Sequence, residues 1–595
     1  MSSRFEKYKR MFGLIRTFIA PYKWGFLGAV LMVVVMVVTM VLAPTVEGMI
    51  TTQLAQDAAE ILNQTPGAGV HFDIIVRIML VLAVIYVIKM LSQAVGVVWL
   101  TNSIQNTMHD MRGAVQEKVH RLPVRYFDTH PYGDVLSRIT NDVDTISNAL
   151  QQTFTQIISG VLTLILAITM MFVINPWMAC LALAIIPLSL LISRFVIRHS
   201  QRQFLAQQNA VGTLNGAITE MYTGFNEILL YNKQRKSAED FQKINHTLKG
   251  HSFRAQFMSS LISPLVSLVT YLIIGGTAVM GALFALSGTI TIGNLQAFIR
   301  YIWQVNDPLS QISQLSAQIQ SAFAAMERVS EILNEPEEVP EADPPQLLQQ
   351  VRGEVAFDHV CFGYSHEPVI KNLNVDIKSG QMVAIVGPTG AGKTTLINLL
   401  LRFYDVDSGS IKIDGVDIRE MRREDLRAIF GMVLQDTWLF SGTIFENIRY
   451  GRLGARRDEV IQAAKTANVH HFIRTLPDGY DMQINEEGSN ISQGEKQLLT
   501  IARAVLKDPQ ILILDEATSS VDTRLEKILQ NAMQTVMKGR TSFVIAHRLS
   551  TIRNADLILV IRDGNIVEQG THETLMQQHG FYETLYNSQF ANQTA

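Results

Sequence analysis

The octapeptide Gly387-Pro388-Thr389-Gly390-Ala391-Gly392-Lys393-Thr394 carries the most specific chemistry in the chain. Two glycines separated by four residues, then Lys and Thr, form a phosphate-loop pattern and point to a nucleoside triphosphate. Glycines let backbone N–H groups crowd around phosphate oxygens, and a helix starting at the loop adds the positive end of its dipole. Lys393 is then expected to reach the β- and γ-phosphates, Thr394 to bring its hydroxyl to Mg²⁺, and Thr395 to continue the helix start beside them. The flanks supply the required context, since Met382–Val386 reads as a buried strand and 395–400 as a helix.

Downstream, Ile511-Leu512-Ile513-Leu514-Asp515-Glu516 is an apolar strand ending in two acids. Such an ending is ordinary by itself. Combined with the phosphate loop, it makes Asp515 the expected Mg²⁺ ligand and Glu516 the expected general base, or water-orienting group, for attack on a γ-phosphate.

The elements that position these groups must belong to only part of the molecule. At 595 residues the chain exceeds one ordinary core, and its apolar residues are unevenly divided between the two halves. A net charge of −3 without a basic stripe interleaved with aromatics excludes nucleic acid as an expected partner. Two cysteines, Cys180 and Cys361, form neither a disulfide framework nor a zinc site. Residues 1–23 do not read as a secretory signal, and a leader-cleaving peptide exporter with a peptidase-like N-terminal extension is not expected. Their interleaved aromatic and basic residues predict an amphipathic helix on the cytoplasmic membrane surface.

Six segments are long and apolar enough to be read as membrane spans: 24–44, 74–100, 154–174, 177–192, 261–286 and 292–309. Arg77 and Lys89 interrupt the second, and the turn Asn175-Pro176 joins the third to the fourth. Lys and Arg accumulate between spans two and three and between four and five, whereas 47–73 has acids but neither Lys nor Arg. The positive-inside rule therefore predicts that both termini are cytoplasmic. The basic loops read as helices that extend the spans and end in short turns, at 126–133 with Pro131 and Gly133 as breakers and at 220–231 around Gly224.

In the sixth span, Gln296, Arg300, Gln304, Asp307, Gln311, Gln314 and Gln318 recur at helical spacing and share one face. A polar stripe is costly against lipid, so it is expected to line a translocation path. Hydrogen bonding between helices of the bundle is the alternative. Met170, Met171, Met178 and Met280 would give such a path a soft, adaptable wall.

The acidic, proline-rich stretch 335–352 reads as a linker between a membrane domain at 1–334 and a nucleotide-binding domain at 353–595. Six spans with helical extensions ahead of a phosphate-loop domain resemble the half-transporters of the ATP-binding cassette exporters, bacterial multidrug or lipid exporters in particular. The resemblance covers essentially the whole chain. It implies a six-span α-helical transmembrane domain fused to an α/β P-loop nucleotide-binding domain, the type IV exporter architecture, in the bacterial cytoplasmic membrane. Phe127, Asp128, Gly133, Asp134, Ser137, Arg138, Asn141 and Asp142 are similar to the family's first intracellular loop, whose turn is a coupling helix. Tyr364 is similar to the aromatic that stacks on adenine, and Gln435 to the loop glutamine at Mg²⁺ and the attacking water. His547 is similar to the switch histidine at the γ-phosphate, and Asp522 to the loop that communicates across the dimer.

One motif departs from the family. Its signature Leu-Ser-Gly-Gly-Gln, which closes on the opposite subunit's ATP, here reads Ile491-Ser492-Gln493-Gly494-Glu495. A full hydrolytic set beside an altered signature implies one half of a heterodimer in which one composite site is degenerate; a homodimer is the alternative. The function implied is ATP-driven export of amphipathic small molecules, drugs or lipids. An ATP-gated channel or regulator, or an importer, on the same fold is the runner-up.

Overall fold

The computed structural model describes residues 13, 16–64, 69–365, 367–434, 437–485, 490–515, 523–545 and 549–589, with the side chains of 309–317, 523–524 and 549–550 left out. The chain divides into two compact units. One holds the residues up to Arg121 and His130–Pro336; the other holds Leu122–Thr129 and Glu337–Ala595. The expected N-terminal amphipathic helix falls mostly outside the described residues.

The first unit is a bundle of long helices: α1 (Arg16–Leu62), α2 (Phe72–Arg121), α3 (Tyr132–Ile174), α4 (Pro176–Thr223) and α5 (Gln234–Leu286). A sixth, α6, covers Ile292–Asn334. Among the described residues, α1 to α5 are long and apolar enough to cross a membrane. Helix α6 matches them in length but carries Arg300, Asp307 and the glutamines. At about 1.5 Å per residue, helices of 43 to 53 residues run well past a hydrocarbon layer of about 30 Å, as the basic extensions predict.

Local chemistry fixes the helix ends. The Asn175 side chain accepts hydrogen bonds from the N–H groups of Trp177 and Met178 (3.0 and 3.1 Å), and Pro176 occupies the first helical position, where a missing N–H costs nothing. Thr291 caps α6 through Asn294 N–H at 3.1 Å. Gly224 ends α4, and a short helix, Phe225–Leu230, follows. At the other turn Pro131 starts a helix while Gly133 lies inside it, so only the proline acts as a breaker.

Packing in the bundle depends on close approach and on buried pairs. A Cβ on Gly293 would lie 1.8 Å from the carbonyl oxygen of Gly48, so α1 and α6 meet backbone to backbone there. One to two turns nearer the start of α1, the fully buried Tyr301 donates to Val41 O (2.8 Å) and pairs with Thr45 Oγ1 (2.6 Å). Toward the far end of α6, Arg328 makes a two-point bond with the buried carboxylate of Asp142, at 2.8 and 2.5 Å. Asp142 ends a π-turn, Arg138–Asp142, that interrupts α3. Met171 and Met178 are buried in the helix core, with Met170 and Met280 packed against it. These methionines are core packing, which corrects the expectation that they line a path.

The second unit is α/β. A four-stranded antiparallel sheet has the order β2-β1-β4-β5, with β1 Val355–Phe362, β2 Ile370–Ile377, β4 Ser408–Ile413 and β5 Val416–Asp417. A six-stranded sheet runs β12-β11-β3-β10-β9-β6, with β3 Met382–Val386, β6 Phe430–Val433, β9 Ile511–Asp515, β10 Thr541–Ile545, β11 Leu557–Arg562 and β12 Asn565–Gly570. Gly442–Thr443 (β7) and Gln483–Ile484 (β8) form a small ribbon. All neighbours in the larger sheet are parallel except β11 and β12. Its central strands are buried over nearly their whole length because both faces are covered.

Candidate nucleotide site and transmembrane path

Register within the parallel sheet sets the site. Ile545 pairs with both Asp515 and Ile385, and Val433 pairs with Leu514, so β3, β10, β9 and β6 end at one edge. In parallel α/β sheets that carboxyl edge is where ligands bind. From β3 the chain turns through 387–392 into helix α7 (Lys393–Leu400). A Cβ on Gly387 would sit 2.2 Å from Ile561 O of β11, which admits no side chain. Gly392 caps α7 with φ +104°, a conformation that favours glycine.

The Lys393 ammonium lies inside this loop, donating to Gly387 O (2.8 Å) and Pro388 O (3.0 Å). Burial holds its pKa below the ordinary lysine value, while the Asp515 carboxylate pulls it back up. Lys393 and Asp515 are therefore electrostatic neighbours although 122 residues separate them in sequence. Thr389, Gly390 and Thr394 are exposed around the loop; Ala391 and Thr395 are buried beneath it. Gln435, Glu516, Asp522 and His547 lie outside the described residues. In the sequence, Glu516 directly follows β9, and Gln435 and His547 come two residues after the last residues of β6 and β10.

Tyr364 follows β1, and its hydroxyl donates to Thr395 Oγ1 at 3.3 Å. Its ring stands edge-on to Phe362 and Tyr404, with centroids 5.1 and 5.0 Å away. Two contacts not anticipated from the sequence hold this cluster. Arg125 donates to Tyr364 O at 2.9 Å, and Tyr404 donates its phenolic proton to Asp128. Burial and that carboxylate push the Tyr404 pKa well above the usual phenol value. Arg125 and Asp128 come from Leu122–Thr129, which belongs to this unit. No spacing rule links them to Tyr364 or Tyr404; only the tertiary fold does.

The altered signature starts helix α8 (Gln493–Lys507), with Ser492 as the N-cap residue. The Glu495 carboxylate accepts from Ser492 N–H at 2.9 Å, so the acid turns inward to its own helix start as in a capping box. Ser492 and Gln493 are exposed, and Gly494 is buried.

In the first unit the polar stripe divides. Gln296 accepts from Thr51, Gln304 donates to Met40 O at 3.2 Å, and Gln318 donates to Gln152 at 2.6 Å. For these three, bonding between helices is the role observed. Arg300 is mostly exposed and stands 4.0 Å from Glu47, which also accepts from Tyr86 at 2.6 Å. Asp307 lines a cavity of about 380 Å³ with Met36, Met40, Gln156, Thr163 and Gln304. The side chains of Gln311 and Gln314 lie outside the described residues.

Comparison with known proteins completes this picture. The profile of the ABC transporter transmembrane region matches residues 24–309, and that of the ABC transporter matches 370–519. A fatty acid ABC transporter ATP-binding/permease protein of Mycobacterium tuberculosis (strain CDC 1551 / Oshkosh) is 46% identical over 522 residues, covering 88% of this chain and 82% of its own. An ATP-dependent lipid A-core flippase of Syntrophus aciditrophicus is 36% identical, over 82% of this chain and 81% of its own. A solved structure of a bacterial Atm1-family ABC exporter with ATP bound superposes with a TM-score of 0.73 at 28% identity, covering 96% of this chain and 99% of that one.

Proposed function

The chain belongs to the ATP-binding cassette exporter family, and from that premise we propose that it exports amphipathic small molecules, lipids or drugs, across the bacterial cytoplasmic membrane. It is a membrane protein and an ATP-hydrolysing translocase. Export proceeds in this reading by alternating access, with both termini in the cytoplasm. The relatives that carry fatty acids or flip lipid A-core point to lipid-like cargo. The reading rests on the meeting of Lys393 and Asp515 at one sheet edge, in a chain whose other unit consists of membrane-length apolar helices.

Each residue has a task. Lys393 and the N–H groups of 387–394 grip the β- and γ-phosphates, and the Tyr364 ring supports the adenine. The hydroxyl of Thr394, the Asp515 carboxylate and the Gln435 amide are hard oxygen donors of the kind Mg²⁺ takes. Mg²⁺ held there with the nucleotide would neutralise phosphate charge. Glu516 accepts the proton of the attacking water, and His547 holds the γ-phosphate. Asp522 and the signature residues Ser492, Gln493 and Gly494 act across a dimer, since exporters of this family work as dimers. We favour a heterodimer, because Gln493 projects from α8 where glycine is usual.

Glu516→Gln tests the core of the assignment. The variant should still bind ATP, while its turnover falls by about 10²- to 10⁴-fold. Turnover at the parent rate would remove Glu516 as the base.

A further inference from the structure

Tyr364 is held at its hydroxyl, its ring and its backbone. The hydroxyl donates to Thr395 Oγ1 (3.3 Å) and accepts from Asn398 Nδ2 (3.5 Å), both on α7, the helix that starts at the phosphate loop. The rings of Phe362 and Tyr404 stand at 83° and 89° to its own, and lie 5.4 Å apart from each other. On the backbone, Gly363 N–H donates to Asp407 (2.9 Å) and Tyr364 O accepts from Arg125 (2.9 Å). A Cβ on Gly363 would meet Glu367 O at 2.6 Å, so the loop doubles back with no room to spare. Tyr364 nevertheless stays 37% exposed, which leaves ring surface open for stacking, whereas Tyr404 is only 8% exposed and gives its phenolic proton to Asp128. Arg125 and Asp128 sit three residues apart on the short helix Val124–Thr129, a spacing that puts both on one face. That helix comes between α2 and α3 in the chain and falls within the residues matched by the transmembrane profile.

We propose that Arg125, Asp128 and Tyr404 are positioning residues for recognition of the nucleotide base: Asp128 fixes the Tyr404 ring through its hydroxyl, Tyr404 and Phe362 keep the Tyr364 ring in one rotamer, and Arg125 fixes the backbone that carries it. These three act through Tyr364, which is the group that meets the base. A ring ordered before the nucleotide arrives has less freedom to lose on stacking, so its support is read as affinity. Contacts between rings near a right angle are favourable in themselves, because the positive edge of one meets the negative face of the other. Groups encoded in the membrane half of the sequence thereby complete the base site of the nucleotide half. The inference deepens the proposed function and rests on Tyr364 as the support of the adenine.

The test measures ATP turnover by the full-length dimer in lipid nanodiscs, with inorganic tripolyphosphate, which carries phosphates but no base, as competing inhibitor. Tyr404→Phe removes one hydroxyl and keeps the ring; Arg125→Ala removes the guanidinium. Each should raise KM for ATP by about three- to tenfold at unchanged kcat, and leave the inhibition constant of tripolyphosphate within about twofold of the parent. Asp128→Asn, whose amide oxygen still accepts from the phenol, should stay close to the parent. Unchanged KM in Tyr404→Phe and Arg125→Ala would overturn the proposal. So would equal weakening of ATP and tripolyphosphate, since that is the mark of a general disturbance of the phosphate loop. Tyr364→Ala separates this inference from the reading beneath it. If that variant leaves KM for ATP unchanged, the adenine assignment itself fails; if it raises KM while Tyr404→Phe and Arg125→Ala do not, the positioning role alone fails.

Discussion

The His71 imidazole shares the carboxylate of Asp57 with its own backbone: Nδ1 lies 2.7 Å from one oxygen and the N–H donates to the other at 2.9 Å. Gln53 adds a third bond at 2.8 Å, and the Asp57 side chain is almost completely buried. This knot ties the end of α1 to the start of α2. The bond to Asp57 and its charge raise the His71 pKa, and Glu60 and Asp73 add to the effect. Because the folded value is raised, the stabilisation is full below the ordinary histidine value of about 6.5 and is lost as pH rises through the raised value. Amide exchange at His71, corrected for intrinsic rate, should therefore show protection that falls over that window. Protection that stays flat with pH would mean that the backbone bond alone holds the knot.

At the scale of elements, helix starts explain more than composition does. Glu495 illustrates the point. As a letter in an altered signature it reads as a charge placed near a phosphate, yet in the fold it closes the first turn of α8 on Ser492 N–H. The departure that faces outward is therefore Gln493. Asn175 does similar work for α4, where it alone caps the turn between two apolar helices. Asn175→Ala should cost about 1 kcal/mol and lower the melting temperature of the detergent-solubilised protein. An unchanged melting temperature would show that packing of Met178 and Ala179 holds the turn without the cap.

At the scale of the whole molecule, the composite site we propose would make the partner chain part of the chemistry. On the proposed function, this chain supplies a phosphate loop, Asp515 and Glu516, and the signature that closes over its own γ-phosphate would come from another subunit. Purified alone, the chain should turn over ATP far more slowly than when co-purified with a half-transporter whose signature is regular. A stable homodimer with full, substrate-stimulated turnover would remove the heterodimer. Such an outcome would leave the assignments of Lys393 and Asp515 intact, because those rest on the fold of one chain.

The sequence by itself determined whatever depends on neighbours along the chain. The phosphate loop, the apolar segments of membrane length in α1 to α5, the Asn175-Pro176 turn and the strand ending at Asp515 are local patterns with local physical causes, and all were legible. The polar face of α6 was legible as a face, since helical spacing alone aligns Gln296 with Gln318. What that face meets was decided only in three dimensions. Thr51, Met40 and Gln152 occupy three of its members, and the methionines expected beside it pack into the core instead. Likewise, the join of Arg125 and Asp128 to Tyr364 and Tyr404, and of Asp142 to Arg328, spans 186 to 276 residues. Contacts at such separation leave no periodicity in a sequence, because they arise from the packing of whole elements.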